Sequence, residues 1–187
     1  MYQLDTNRTE TATSEIDQDI AGNPVPLNDA LTGTFSSAFL DAWLEREILR
    51  ARRYRRKTAI ALVAVDRMAR WTQLCGRPTG DQILARVADL VGVQIRLSDI
   101  VARISGDTFA VVLPETNIFF AHDVAEKVRQ RVANADWTAD LGTPESVTVS
   151  IGVTAIDPNR PMGESMARAS RHLDRARTTG RNRVFAG

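Results

Sequence analysis

The chain has 187 residues, 43% hydrophobic and 25% charged, with a formal net charge of +1; that length supports one domain with a proper core and is short for two. The charge balance gives no global reason to expect a nucleic-acid or membrane partner, and no apolar run approaches the ~20 residues that span a bilayer. Cys75 is the single cysteine, which excludes an internal disulfide and any multi-cysteine metal site and suits a cytoplasmic location.

Residues 1–28 are polar and read as a flexible tail or linker, punctuated by Asn23-Pro24-Val25-Pro26. One folded domain is expected over 29–187, its order setting in near Leu27 or Asp29. Ser36 or Ser37 can cap a helix carrying Phe39, Trp43, Leu44, Ile48 and Leu49 at helical spacing. That helix ends in a basic stretch, Arg50 to Lys57, which suits the carbonyl end of a helix dipole. Thr58 to Val65 is a continuous apolar run, the pattern of a buried central strand. Gly76, Pro78 and Gly80 break the chain before a second helix with Ile83, Leu84, Val87, Leu90 and Val91 inward.

Ile100–Ile104 and Phe109–Leu113, split by Ser105-Gly106-Asp107-Thr108, predict a β-hairpin. Thr116 is the expected cap of a helix running through Val132. Val147 to Ile156 alternates as a strand, with Val147, Val149, Ile151 and Val153 on one face. A last helix is predicted over Met162–Thr178 and a closing edge strand over Arg183–Ala186. The pattern predicts a mixed α/β (α+β) domain, a mainly antiparallel sheet with helices packed against it. His122 and His172 read as surface residues, and Cys75 as a small packing residue.

The hairpin sequence Arg103-Ile104-Ser105-Gly106-Asp107-Thr108-Phe109 resembles the R-x-G-G-D/E-E-F signature of the GGDEF domains. Other landmarks follow in order. Asp29-Ala30-Leu31-Thr32-Gly33 resembles the D-x-L-T-G opening, and Gly76 with Gly80-Asp81 the G-H-x-x-G-D segment. Val147 to Val153 is similar to V-T-V-S-I-G-V, and Gly180 to Val184 to G-R-N-R-V. The resemblance implies a palm-like fold with a five-stranded sheet, and a family activity that condenses two GTP into cyclic di-GMP, one GTP held by each domain of a dimer.

Phosphoryl transfer needs metal held by carboxylates to neutralise the phosphates. The family's first-strand carboxylate falls at Ala64, which has no oxygen to offer, while Asp107 keeps the hairpin carboxylate. Asp66 matches the second Asp of the family's pair, about 6.6 Å further along the strand. The guanine-reading Asn falls at Thr72, the Phe-Lys pair at Met68-Ala69, the Asn-Arg-Arg after the opening motif at Ser36-Ser37-Ala38, and the signature's Glu at Thr108. Ser105 stands where the family has its first glycine. Asp81, Asp107, Arg177 and Arg181 are the remnants of the GTP site. From these losses we expect a degenerate, non-enzymatic domain with no catalytic residues, no cofactor and no working magnesium site. The bland alternatives are that Asp81 caps a helix, that Asp107 holds the turn, and that the two arginines are solvated helix-end charges.

Arg96-Leu97-Ser98-Asp99 matches the family's R-x-x-D inhibitory site for cyclic di-GMP, with Lys127 and Arg129 on the following helix as assisting cations. An arginine fork suits O6 and N7 of guanine or a phosphate, and a carboxylate suits the N1 and N2 hydrogens. The alternative is a surface ion pair between Arg96 and Asp99. The leading expectation is a cyclic di-GMP receptor or regulatory module, with a protein partner or attached domains and a ligand-linked homodimer. The alternatives are a nucleotide-independent interaction module and an active cyclase with a displaced metal.

Overall fold

The structure is a computed structural model that describes residues 26–141 and 145–187. Six strands form one sheet, β1 (Phe35–Ser36), β2 (Thr58–Val65), β3 (Ile100–Ser105), β4 (Thr108–Pro114), β5 (Val149–Ile156) and β6 (Val184–Ala186), in the order β1-β3-β4-β2-β5-β6. The four inner strands pair antiparallel, and the short edge strands β1 and β6 pair parallel. The helices are α1 (Ser37–Tyr54), α2 (Met68–Gly92), α3 (Ile118–Ala133), the four-residue α4 (Thr138–Leu141) and α5 (Met162–Thr178). The mainly antiparallel sheet is as expected. The sixth strand, β1, is the addition, two residues long and therefore without a period to read. Most of the predicted tail lies outside the described residues, but Leu27 packs beside the core and Asn28 bridges Phe35.

All eight residues of β2 are buried because helices cover both faces of the sheet. Ala59, Ala61, Val63 and Val65 face α2 and α3, against Ile83, Val87, Val128 and Val132. Ile60, Leu62 and Ala64 face the opposite way, towards Leu40 and Leu44 of α1 and Leu173 of α5. Val147, Val149, Ile151 and Val153 share the first face, as their alternation predicts.

Ser36 caps α1 by accepting from the Phe39 amide at 3.1 Å, and Arg55 closes it in the left-handed region. For α3 the cap is Asn117, which accepts from Phe120 N at 3.0 Å, whereas the Thr116 hydroxyl donates to the Pro114 carbonyl at 2.9 Å. Two adjacent residues could each cap, and the one whose side chain is spent on the strand end loses the role. α2 is kinked at Gly76 (φ 85°, ψ 164°), and helical conformation resumes just before Pro78. There the missing proline N–H removes no helical hydrogen bond. Asp81 therefore lies inside the helix and not at its cap. Among the described residues no helix is long and apolar enough to cross a membrane.

Gly152 is where α5 meets the sheet. A Cβ there would stand 2.2 Å from both the Ala169 carbonyl oxygen and the Leu173 amide nitrogen. Backbone cannot move aside as a flexible side chain can, so Gly152→Ala is expected to lose about 3 kcal/mol in urea unfolding, at the upper end of overpacking costs. A loss below about 1 kcal/mol would show that α5 can ride further from the sheet.

Candidate functional site

The β3–β4 hairpin carries candidate residues at both ends, about 20 Å apart along the strands. At the turn end, Ala64 is paired between Thr108 and Ser150 with no exposed surface. Asp66 lies just beyond β2 and is only 3% exposed. Its carboxylate accepts from Thr148 Oγ1 at 2.7 Å, Ser150 Oγ at 2.7 Å and the Asn182 amide at 3.0 Å. Asp107 accepts from Arg177 Nη2 at 2.9 Å and from Thr108 Oγ1 at 2.9 Å. Arg177 is thus an ion-pair partner of the hairpin and not a free helix-end charge. Arg181 sits in the left-handed region (φ 62°) beside Asp66, Arg67 and Arg70 in a separate depression of about 240 Å³. The Thr72 hydroxyl is turned back to the Met68 carbonyl at 3.1 Å.

Among the described residues there is no group of three or more His, Cys, Asp or Glu side chains placed to hold a metal ion. Asp66 is engaged by three protein donors and Asp107 by Arg177, so each carboxylate already has protein partners.

The opening motif is fastened to the hairpin. Asp29 accepts from the Thr32 amide and hydroxyl at 2.9 and 2.7 Å and from Arg103 Nη1 at 3.2 Å. Burial pushes the Asp29 carboxyl up, but the Thr32 hydrogen bonds and Arg103 outweigh it and hold the group below its ordinary value. A folded-state value below the unfolded one contributes stability above about pH 4, which is lost as pH falls through the folded value. The stability difference between the parent and Asp29→Asn should therefore shrink on acidification below about pH 4. A difference independent of pH would remove the carboxylate charge from this account.

At the other end of the hairpin, Arg96, Asp99 and Lys127 line one pocket of about 410 Å³ between the turn before β3 and the first half of α3. Asp99 is 9% exposed and accepts from the Arg96 backbone amide at 2.8 Å, with Ser98 Oγ at 3.4 Å. The contact is thus with the Arg96 backbone and not the guanidinium ion pair of the alternative reading. The exposed Arg96 guanidinium has no hydrogen-bond or ion-pair partner among the described residues. Lys127 is also exposed. Arg129 is not in the pocket. It pairs with Glu126 at 2.8 Å and donates to Asn182 Oδ1 at 2.9 Å, because two residues along a helix is a turn of about 200°. Phe120 and Asp123 also line the pocket, although neither belongs to a sequence motif. Their spacing from Lys127, seven and four residues, is the signal that could have found them.

The family described as "Diguanylate cyclase, GGDEF domain" matches residues 27–183. The diguanylate cyclase DgcP of Pseudomonas aeruginosa is 32% identical over 158 residues, covering 84% of this chain and 23% of the relative. The diguanylate cyclase DosC of Escherichia coli is 29% identical over 174 residues, covering 93% of this chain and 38% of the relative. The chain thus spans well under half the length of these relatives. Among solved structures, the GGDEF domain of DgcB from Caulobacter crescentus in complex with c-di-GMP aligns with a TM-score of 0.81 at 25% identity, over 88% of this chain and 97% of that one. The diguanylate cyclase SiaD from Pseudomonas aeruginosa, solved with its activator SiaC, aligns with a TM-score of 0.83 at 26% identity, over 97% and 69%.

These relatives correct the expectation of a non-enzymatic chain, since they are named as diguanylate cyclases and place the chain in an enzyme family. The departures at Ala64, Thr72, Ser105 and Thr108 are differences from the family's pattern, and Asp66 and Asp107 both stand at the same end of the sheet. With its signature strands and hairpin in register and the match running from residue 27 to residue 183, the chain belongs to the GGDEF domain family.

Proposed function

We propose that this GGDEF domain is a cytoplasmic cyclic di-GMP receptor in a signalling pathway, binding the dinucleotide between the Arg96–Asp99 turn and α3. The observation that carries this reading is the convergence of Arg96, Asp99 and Lys127 on one pocket of about 410 Å³. A free guanidinium can donate in bidentate fashion to guanine O6 and N7 or to a phosphate, and an ammonium adds a charge for the second phosphate. The complex of the DgcB domain with c-di-GMP supports the ligand assignment, and the SiaD–SiaC complex supports a protein partner. By the family resemblance Asp81, Asp107, Arg177 and Arg181 are assigned to the GTP site, Asp107 and Arg177 being paired at the turn end of the hairpin, and Arg129 is left out of the dinucleotide site because it pairs with Glu126 and Asn182. A two-guanine ligand can also bridge two copies of the chain.

Calorimetric titration of the purified chain with cyclic di-GMP tests the proposal. Saturable binding is expected, with a mass increase in light scattering if the ligand joins two chains. No heat and no saturation would sink it.

A further inference from the structure

The pocket has a second wall that the R-x-x-D pattern does not describe. Phe120, Asp123, Val124 and Lys127 fall at i, i+3, i+4 and i+7 on α3, one stripe of the helix, and all four line the pocket. The Phe120 residue is 65% exposed, an aromatic surface left to water at the lip of the cavity. Its backbone is fixed in place, since its N–H donates to the Asn117 side chain at 3.0 Å. The pocket's carboxylates differ in how they are engaged. Asp99 is buried and bound to its own turn, and Glu115 pairs with Arg56 at 2.6 Å. Asp123 has a side chain 67% exposed, and its ionic neighbour is His122 at 3.8 Å, beyond hydrogen-bond reach.

We infer that α3 reads the purine: Phe120 stacks on the face of a guanine, and Asp123 accepts from N1–H and the N2 amino group on its Watson–Crick edge. Arg96, on the facing wall, takes the O6/N7 edge or a phosphate, and Asp99 holds the turn that presents it. A carboxylate at this edge selects guanine over adenine, because adenine carries an acceptor at N1 and no amino group at C2. This assignment rests on the cyclic di-GMP reading and goes beyond it by naming what sets the base preference.

The test is a calorimetric series on the full chain with cyclic di-GMP and cyclic di-AMP. Phe120→Ala should weaken cyclic di-GMP binding about tenfold, within the range of a base–aromatic stack. Phe120→Trp should retain affinity, and Phe120→Leu, which keeps apolar volume without a flat face, should fall with the alanine variant. Phe119→Ala, one residue away and outside the pocket, should bind as the parent does. Asp123→Asn should narrow the preference for cyclic di-GMP over cyclic di-AMP about tenfold. Both side chains are exposed, so unchanged unfolding midpoints are expected and separate a ligand effect from a folding one. Should Arg96→Ala lose binding while Phe120→Ala and Asp123→Asn match the parent, the inference is overturned and the receptor reading stands. Failure of the parent chain to bind overturns both.

Discussion

Replacing Arg96 by alanine is expected to weaken cyclic di-GMP binding by roughly tenfold to a hundredfold, the value of a charge-assisted contact, while leaving the fold as stable as before. The guanidinium is exposed and makes no hydrogen bond or ion pair among the described residues, so nothing in the free protein depends on it. Asp99→Ala should behave differently. That carboxylate is 9% exposed and accepts from the Arg96 amide at 2.8 Å, so its loss should cost about 1–2 kcal/mol of stability as well as affinity. Urea unfolding beside calorimetry separates the two effects. Asp81→Ala, on α2 and outside the pocket, serves as the control with unchanged affinity. If Arg96→Ala binds as tightly as the parent, Arg96 is a solvated charge and the ligand sits elsewhere.

Asp66→Ala is expected to lower stability by about 3 kcal/mol, because three short hydrogen bonds converge on a nearly buried carboxylate. Those bonds tie the end of β2 to the start of β5 and to the loop before β6. Removing the acceptor leaves the Asn182 amide without its partner and two hydroxyls to find others. Asp66→Asn keeps an acceptor oxygen and should lose less. The midpoint of urea unfolding reads the difference directly. A loss under about 0.5 kcal/mol for the alanine variant would mean that the loop re-forms around water and that Asp66 is not a clamp.

The parts of the fold that could be read in the sequence are those that repeat a period over a turn or more. The apolar run of β2, the alternation in β5 and the helical spacing in α1 and the second half of α2 each dictate an element because burial on one or two faces has a fixed spacing. β1 and α4 were not legible, since two and four residues contain no complete period. The choice of Asn117 over Thr116 as cap depended on where a hydroxyl finds an acceptor, a tertiary fact. For the site, the motif located Arg96 and Asp99, but it could not say that Asp99 holds a backbone amide and leaves the guanidinium free. Lys127 and Arg129 looked equivalent as nearby cations. Helix phase separates them, sending one to the pocket and the other to Glu126 and Asn182. Phe120 and Asp123 carried no motif and emerged only once α3 was seen to form a wall.

The most direct test of the account is a map of backbone amide shifts by ¹H–¹⁵N correlation spectra as cyclic di-GMP is added to the chain. Perturbations are expected in two stretches that meet only in the folded protein, residues 96–99 and residues 115–127, with little change over residues 64–72 or 177–182. Shifts concentrated at residues 64–72 and 177–182, with 96–99 unmoved, would place the ligand at the Ala64–Asp107 end and contradict the assignment.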